Sequence, residues 1–106
     1  FPHEVIERGF GYVKHHPLKE AYTLYTPPPH NRPTWDPTAL LYAVYPECGY
    51  FTLSPGGTVT VEDNGATWFR PARDGKGNHR YLAMNGEQSA RVREAIVQLC
   101  VTPPTK

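Results

Sequence analysis

The segment NRPTWDPTALLYAV, residues 31–44, contains the most informative helix signal of this chain. Asp36 is a favourable N-cap residue, and Pro37 suits the first position of a helix, where a backbone N–H has no intrahelical partner. Residues 38–44 are then apolar almost all round, whereas a helix at a protein surface shows a polar face. The sequence therefore predicts a helix that is buried on most sides.

The rest of the chain offers little material to surround such a helix. Its 106 residues allow one small domain, and apolar residues make up 39% of them. Twelve prolines exclude long uninterrupted helices. We therefore expect that a larger body is missing around residues 38–44, and that the isolated chain covers this helix by self-association.

Two further helices are predicted on either side of this segment. The first begins at Pro17, carries an apolar stripe ending at Tyr25, and stops at the three prolines 27–29. The last begins with Asn85 and Gln88 in a capping-box arrangement. Its apolar stripe comprises Val92, Ala95, Ile96, Leu99 and Cys100. Residues 1–10 fit either one helical turn or a docked extended arm.

Residues 50–84 predict a three-stranded antiparallel meander. Residues 50–53 form a strand, residues 55–57 turn the chain, and residues 58–62 alternate with the period of a strand. Asn64-Gly65 is typical of a two-residue hairpin tip that pairs residues 59–61 with 67–69. Residues 79–84 add a strand after a glycine-rich loop, so four extended segments contribute to the predicted three-stranded meander. The chain is therefore predicted to be α+β, with a helical part at 1–46, a meander at 50–84 and a terminal helix at 85–101.

Composition excludes several classes of function. A net charge of +1 gives no basic surface for nucleic acid, so no nucleic-acid partner is expected. No apolar run approaches the roughly 18 residues of a membrane span, so no membrane partner is expected. Two cysteines do not make a disulfide scaffold, and we expect Cys48 and Cys100 to be small buried thiols. The compartment is not defined by these features.

Three groups of residues could take part in metal binding, catalysis or ligand binding, but each group also has a simpler structural explanation. The five histidines lack paired metal-ligand spacing and fit loops and caps. Glu62 and Asp63 lie at a predicted turn, which explains their presence there. The aromatic residues of the meander fit either the core beneath the helices or a binding platform. These are Tyr50, Phe51, Trp68 and Phe69.

The order of the segments resembles the C-terminal part of the nucleoside hydrolase family, the inosine-uridine-preferring ribohydrolases. Residues 35–44 look like the family's late buried helix, which begins with a His-Asp pair. Residues 16–22 look like the preceding helix of bacterial members, and residues 50–61 and 79–82 look like the terminal strands of one bacterial branch. The resemblance covers about residues 1–104 and consists of several weak matches in the same order.

This resemblance implies a longer parent with a doubly wound α/β fold that hydrolyses the N-glycosidic bonds of ribonucleosides. In that family, calcium held by aspartates binds the ribose diol and activates water. Asp36 matches a late calcium ligand, and Trp35 and Asp36 match substrate-binding positions. Trp35 replaces the histidine that assists the leaving base, so no catalytic residue is assigned. The N-terminal aspartates are missing, and calcium takes six to eight oxygen ligands. We therefore expect this chain alone to be inactive and to bind calcium weakly.

Two other interpretations stay open. The chain can be a non-catalytic binding or interaction module that uses the aromatic meander or the proline-rich connector. It can also be a scaffold whose parent lost its chemistry through Trp35. In the binding-module interpretation, Asp36 serves only as the N-cap of its helix.

Overall fold

The computed structural model describes residues 1–105 and shows a mixed α and β chain. Within this range the helices are α1 His3–Arg8, α2 Pro17–Tyr25, α3 Trp35–Val44 and α4 Gly86–Val101, with a 3₁₀ turn at Pro46–Cys48. The strands are β1 Thr52–Leu53, β2 Gly57–Val61, β3 Thr67–Pro71 and β4 Leu82–Ala83. The predicted α+β class is confirmed. None of the helices in residues 1–105 is both long and apolar enough to cross a membrane.

The chain is elongated and has a divided core. Its radius of gyration is 17.1 Å, whereas a compact domain of this length has a radius of about 13 Å. Ile6, Phe10 and Tyr22 form one buried cluster between α1 and α2. Leu41, Val92 and Ile96 form a second between α3 and α4. Neither cluster is large, so many apolar side chains remain at the surface.

The helix boundaries follow local sequence signals. Pro17 begins α2 as predicted, with His16 as the N-cap. The capping box of α4 is also confirmed, because Asn85 Oδ1 accepts from the backbone N–H of Gln88 at 2.8 Å and Gln88 Oε1 accepts from the N–H of Asn85 at 3.1 Å. Residues 3–8 form a helix rather than an extended arm.

The predictions for α3 need two corrections. The helix begins at Trp35, so Thr34 is the N-cap and Asp36 lies inside the first turn. Only Leu41 is buried, whereas Leu40 is 67% exposed and Val44 is 58% exposed. The reason is geometric: α4 and the segment after α3 cover one side of the helix, and nothing within residues 1–105 covers the other.

The predicted meander is wrong in its strand order. Strand β1 pairs antiparallel with β4, and β2 pairs antiparallel with β3, in two separate sheets. Residues 55–57 do not form a hairpin turn, because the Gly57 N–H donates to the carbonyl of His79 at 2.9 Å and the His79 N–H donates back at 3.1 Å. After β1 the chain therefore stays paired with residues 79–83 until β2 begins, and it does not turn back on itself at residues 55–57.

Three glycines allow this arrangement. A Cβ atom at Gly56, Gly57 or Gly77 would overlap backbone atoms of the facing segment. Only glycine permits two backbones to approach this closely. We refer to these three residues as the glycine crossing.

The hairpin between β2 and β3 has the predicted register and a different tip. Val59 faces Phe69 and Val61 faces Thr67. The Gly65 N–H donates to the carbonyl of Glu62 at 2.8 Å, and the Glu62 N–H donates to the carbonyl of Ala66 at 2.9 Å. Only Gly65 has a positive φ here, of 84°. The tip is thus a three-residue loop with glycine in the left-handed position, not a two-residue turn.

Replacing Gly65 with Val tests this tip. A β-branched residue is strained at positive φ, so we expect a loss of stability of about 1 kcal/mol or more. For a domain of this size, that loss lowers the melting temperature by roughly 4–8 °C. Gly65→Asn is the matched control, because Asn tolerates the left-handed region and retains most of the stability. Equal melting temperatures for all three proteins would contradict the loop geometry.

Candidate functional site

Trp35 lies on the wall of an open groove between α3, α4 and the β1–β4 sheet. The groove has a volume of about 470 Å³, and Trp35 is 78% exposed. Phe51, Leu82 and Val92 supply apolar surface on the other sides. Arg32 and Arg93 line the same groove. We call it the Trp35 groove.

Asp36 does not line the Trp35 groove. Consecutive residues of a helix point in directions about 100° apart, so Trp35 and Asp36 do not share one face. The Asp36 carboxylate is exposed and has no hydrogen bond or ion pair to any residue in the range 1–105. Its place in the first turn of α3 favours a negative charge there. The structure thus leaves this carboxylate available to a ligand from outside the chain.

The residues at this end of α3 do not by themselves fit a calcium site. No group of three or more His, Cys, Asp or Glu side chains that could hold a metal occurs among the residues that the structure describes. One carboxylate supplies at most two of the six to eight oxygen ligands that calcium takes. No catalytic step through calcium can therefore be assigned to this chain.

The positive charges of the groove affect the first residue of the chain. The Phe1 amino group donates a hydrogen bond to the carbonyl of Arg32. Burial lowers the pKa of this amino group, and the nearby charges of Arg93 and Arg32 lower it further. Phe1, Arg32 and Arg93 all line the Trp35 groove.

Each of the five histidines contacts neighbouring protein groups, which agrees with the prediction that they lie in loops and caps. His15 Nδ1 lies 2.7 Å from Glu20 Oε1, and His79 Nδ1 accepts from the Val59 N–H at 3.0 Å. The rings of His16 and His30 pack on aromatic neighbours at centroid distances of 4.2 Å. His3 lies 3.1 Å from Asn31 Oδ1 through its Nδ1 atom. None of these arrangements resembles a metal site.

The aromatic residues of the predicted meander are divided between two places. Tyr50 and Phe51 pack against the cluster between α3 and α4. Phe69 packs edge-on against Tyr81 at 5.1 Å, and Trp68 is 58% exposed on the hairpin. They do not form one aromatic platform, so the binding-module hypothesis needs another surface.

Such a surface lies on the far side of α3. A groove of about 280 Å³ runs between α3 and α4 and is lined by apolar side chains. Leu40, Val44 and Leu99 are each more than half exposed there, and Cys100 lies at its edge. We call this surface the α3–α4 face.

The two cysteines are both reduced, as predicted, but only one is shielded. Cys48 is exposed, contrary to the expectation of two buried thiols, because it ends the 3₁₀ turn at the surface. Cys100 is half-buried, and burial raises the pKa of its thiol. Protein atoms therefore shield the thiol of Cys100 more than that of Cys48.

Sequence reasoning found Trp35 but missed the arginines beside it. Arg32 lies three residues before the start of α3, whereas Arg93 lies on the polar face of α4 that the sequence predicts to be solvated. No local spacing connects the two residues, since only the packing of α3 on α4 brings them to one groove. Comparisons with protein families, curated proteins and solved structures find no match for this chain.

Proposed function

We propose that this chain is the C-terminal part of a nucleoside hydrolase-like protein and is not catalytic by itself. The observation that carries this proposal is α3, an apolar helix that begins with Trp35-Asp36 and is covered on one side only. A helix of this composition belongs inside a larger body. The elongated shape and divided core of the chain support the same conclusion.

The two residues at the start of α3 have different proposed roles. Asp36 joins aspartates from the missing N-terminal part of the parent to bind calcium and the ribose of a ribonucleoside. Trp35 offers an indole ring for stacking and an N–H that donates but does not release its proton near neutral pH. Protonation of the leaving base therefore falls to another residue of the parent.

Asp36→Asn separates these roles. In the isolated chain we expect a small effect on stability, within about 1 kcal/mol, because the substitution removes only a favourable charge near the helix N-terminus. In the longer parent we expect severe loss of calcium binding, because a ligand loses its charge. Calorimetric calcium titration of both proteins, with nucleoside hydrolysis by the parent, measures these effects.

The matched control is Asp63→Asn at the tip of the β2–β3 hairpin, which removes one exposed carboxylate outside α3. It should leave calcium binding by the parent unchanged. Tight calcium binding by the isolated chain would contradict the incomplete site. Calcium binding by the parent that ignores Asp36→Asn would exclude Asp36 from the site.

The α3–α4 face favours a second candidate, a non-catalytic interaction module. In that case the exposed apolar side chains bind a protein partner, and Asp36 has no ligand. A parent that neither binds calcium nor hydrolyses ribonucleosides would favour this candidate over the first.

A further inference from the structure

The Trp35 groove is lined by two arginines that form no ion pair with any residue in the range 1–105. Arg32 and Arg93 line it, and neither guanidinium donates a hydrogen bond or forms an ion pair within that range. By contrast, Arg80 and Arg91 donate to backbone carbonyls at 3.3 and 3.0 Å. No Asp or Glu lines the groove. The groove is therefore complementary to an anion.

Arg32 stacks on Tyr25 of α2, a residue that lies outside the Trp35 groove. Its guanidinium carbon lies 4.3 Å from the centroid of the Tyr25 ring. Stacking of this kind uses the face of the guanidinium and leaves its edge, with the N–H donors, free to bind a carboxylate or phosphate. The side chain is thus partly ordered before any ligand binds, which lowers the entropy lost on binding.

The apolar side chains of the groove suit a planar aromatic ring. Trp35 leaves 78% of its surface exposed beside the apolar side chains of Phe51 and Leu82. The volume of about 470 Å³ lies within the usual range of small-molecule sites. An indole ring at the mouth of such a groove provides a stacking surface.

We propose that the Trp35 groove binds a planar aromatic anion, whose ring lies against Trp35 and whose carboxylate or phosphate group is held by Arg32 and Arg93. The proposal shares Trp35 with the hydrolase proposal, but it requires neither Asp36 nor a neutral ribonucleoside. The anionic group pairs with the two guanidiniums, and the ring covers apolar surface that is otherwise in water.

The chain offers an internal control for the binding experiment. Trp35 and Trp68 are the two tryptophans of the sequence, and Trp68 lies on the hairpin outside the groove. Their indole N–H signals in a ¹H–¹⁵N correlation spectrum report the two places separately. We expect 2-naphthoate and 2-naphthyl phosphate to shift the Trp35 signal to saturation and to leave the Trp68 signal in place. The neutral 2-naphthamide should bind at least about ten-fold more weakly.

Charge variants test the assignment of the anion site. Arg32→Gln and Arg93→Gln should each weaken binding of 2-naphthoate about ten-fold, while Arg93→Lys should lose less because it retains the charge. Arg73→Gln, in the loop before β4, removes the same charge elsewhere and should have no effect. A thermal melt of each variant verifies that it is folded.

Three results would overturn the proposal. One is equal affinity for 2-naphthoate and 2-naphthamide, which would indicate apolar binding without an anion site. Another is an equal shift of both tryptophan signals. The third is an equal loss of affinity with Arg73→Gln, which would indicate only a general effect of net charge.

Preference for 2-naphthyl phosphate over 2-naphthoate would identify the phosphate monoester as the ligand class, and the reverse would identify the carboxylate. Failure of the hydrolase proposal leaves each of these outcomes unchanged.

Discussion

Gly77→Ala should unfold the β-structure between residues 52 and 83. A Cβ atom at position 77 would overlap the backbone N, Cα and O atoms of Gly57, and backbone cannot rotate away as a flexible side chain can. The facing segments must separate, which breaks the paired hydrogen bonds between Gly57 and His79. We expect a loss of at least about 3 kcal/mol, in the upper range for single substitutions.

The small core makes this loss decisive. Domains are usually stable by only about 5–15 kcal/mol, and this chain buries only six hydrophobic side chains within residues 1–105. Chemical denaturation followed by circular dichroism should show Gly77→Ala unfolded, or nearly so, at room temperature. The signal of the β-structure should be lost first, because α4 packs on α3 away from the crossing.

Gly86→Ala is the matched control for this experiment. Gly86 is the first residue of α4, and a Cβ atom there would meet no atom within 4 Å. The same change from Gly to Ala should therefore leave stability equal or slightly raised, since Ala favours the helix. A Gly77→Ala protein that unfolds at the same denaturant concentration as Gly86→Ala would refute the glycine crossing.

The features that sequence predicted correctly are those set by neighbouring residues. Asn85 and Gln88 form a capping box because both partners lie within one helical turn. The hairpin register follows from alternation on either side of Asn64-Gly65. In each case the signal and the structure involve residues close together in the chain.

The features that sequence missed depend on distant segments. Residues 55–57 carry the composition of a turn, yet Gly56 and Gly57 serve a backbone crossing with Gly77. Residue propensities do not distinguish a glycine in a tight turn from a glycine at which two backbone segments approach each other closely. The Trp35 groove has the same origin, because Arg93 reaches it only through the packing of α4 on α3. The apolar composition of α3 predicted a helix buried on most sides, and this prediction is wrong for residues 1–105, because only Leu41 of the helix is buried.

We expect a second copy of the chain to bury the exposed apolar side of α3 when the chain is isolated. Leu40, Val44 and Leu99 are 67%, 58% and 55% exposed on the α3–α4 face. Exposed apolar side chains that line one groove favour association in water, and a two-fold axis through the face would pair it with itself. We expect sedimentation equilibrium to show a dimer at concentrations of tens of micromolar.

Leu40→Gln should break this dimer. Leu40 is the most exposed apolar residue of the face and lines the groove between α3 and α4. Loss of a central apolar contact costs about 2 kcal/mol, which is roughly a 30-fold rise in the dissociation constant. Leu24→Gln is the control, because Leu24 is 86% exposed on α2 and lies outside the face. A wild-type chain that sediments as a monomer, or an equal effect of Leu24→Gln, would contradict the prediction.

The two thiols provide an independent measurement of the same interface. Cys100 lines the groove of the α3–α4 face, and burial raises the pKa of its thiol. Cys48 lies outside that groove and is exposed. Because the thiolate is the reactive form, Cys100 should be alkylated more slowly than Cys48 in the wild-type dimer. Leu40→Gln should accelerate alkylation of Cys100 and leave Cys48 unchanged, since only Cys100 loses the cover of the second copy. Acceleration of both thiols together would instead indicate that the variant has unfolded, which a melting curve of Leu40→Gln tests directly.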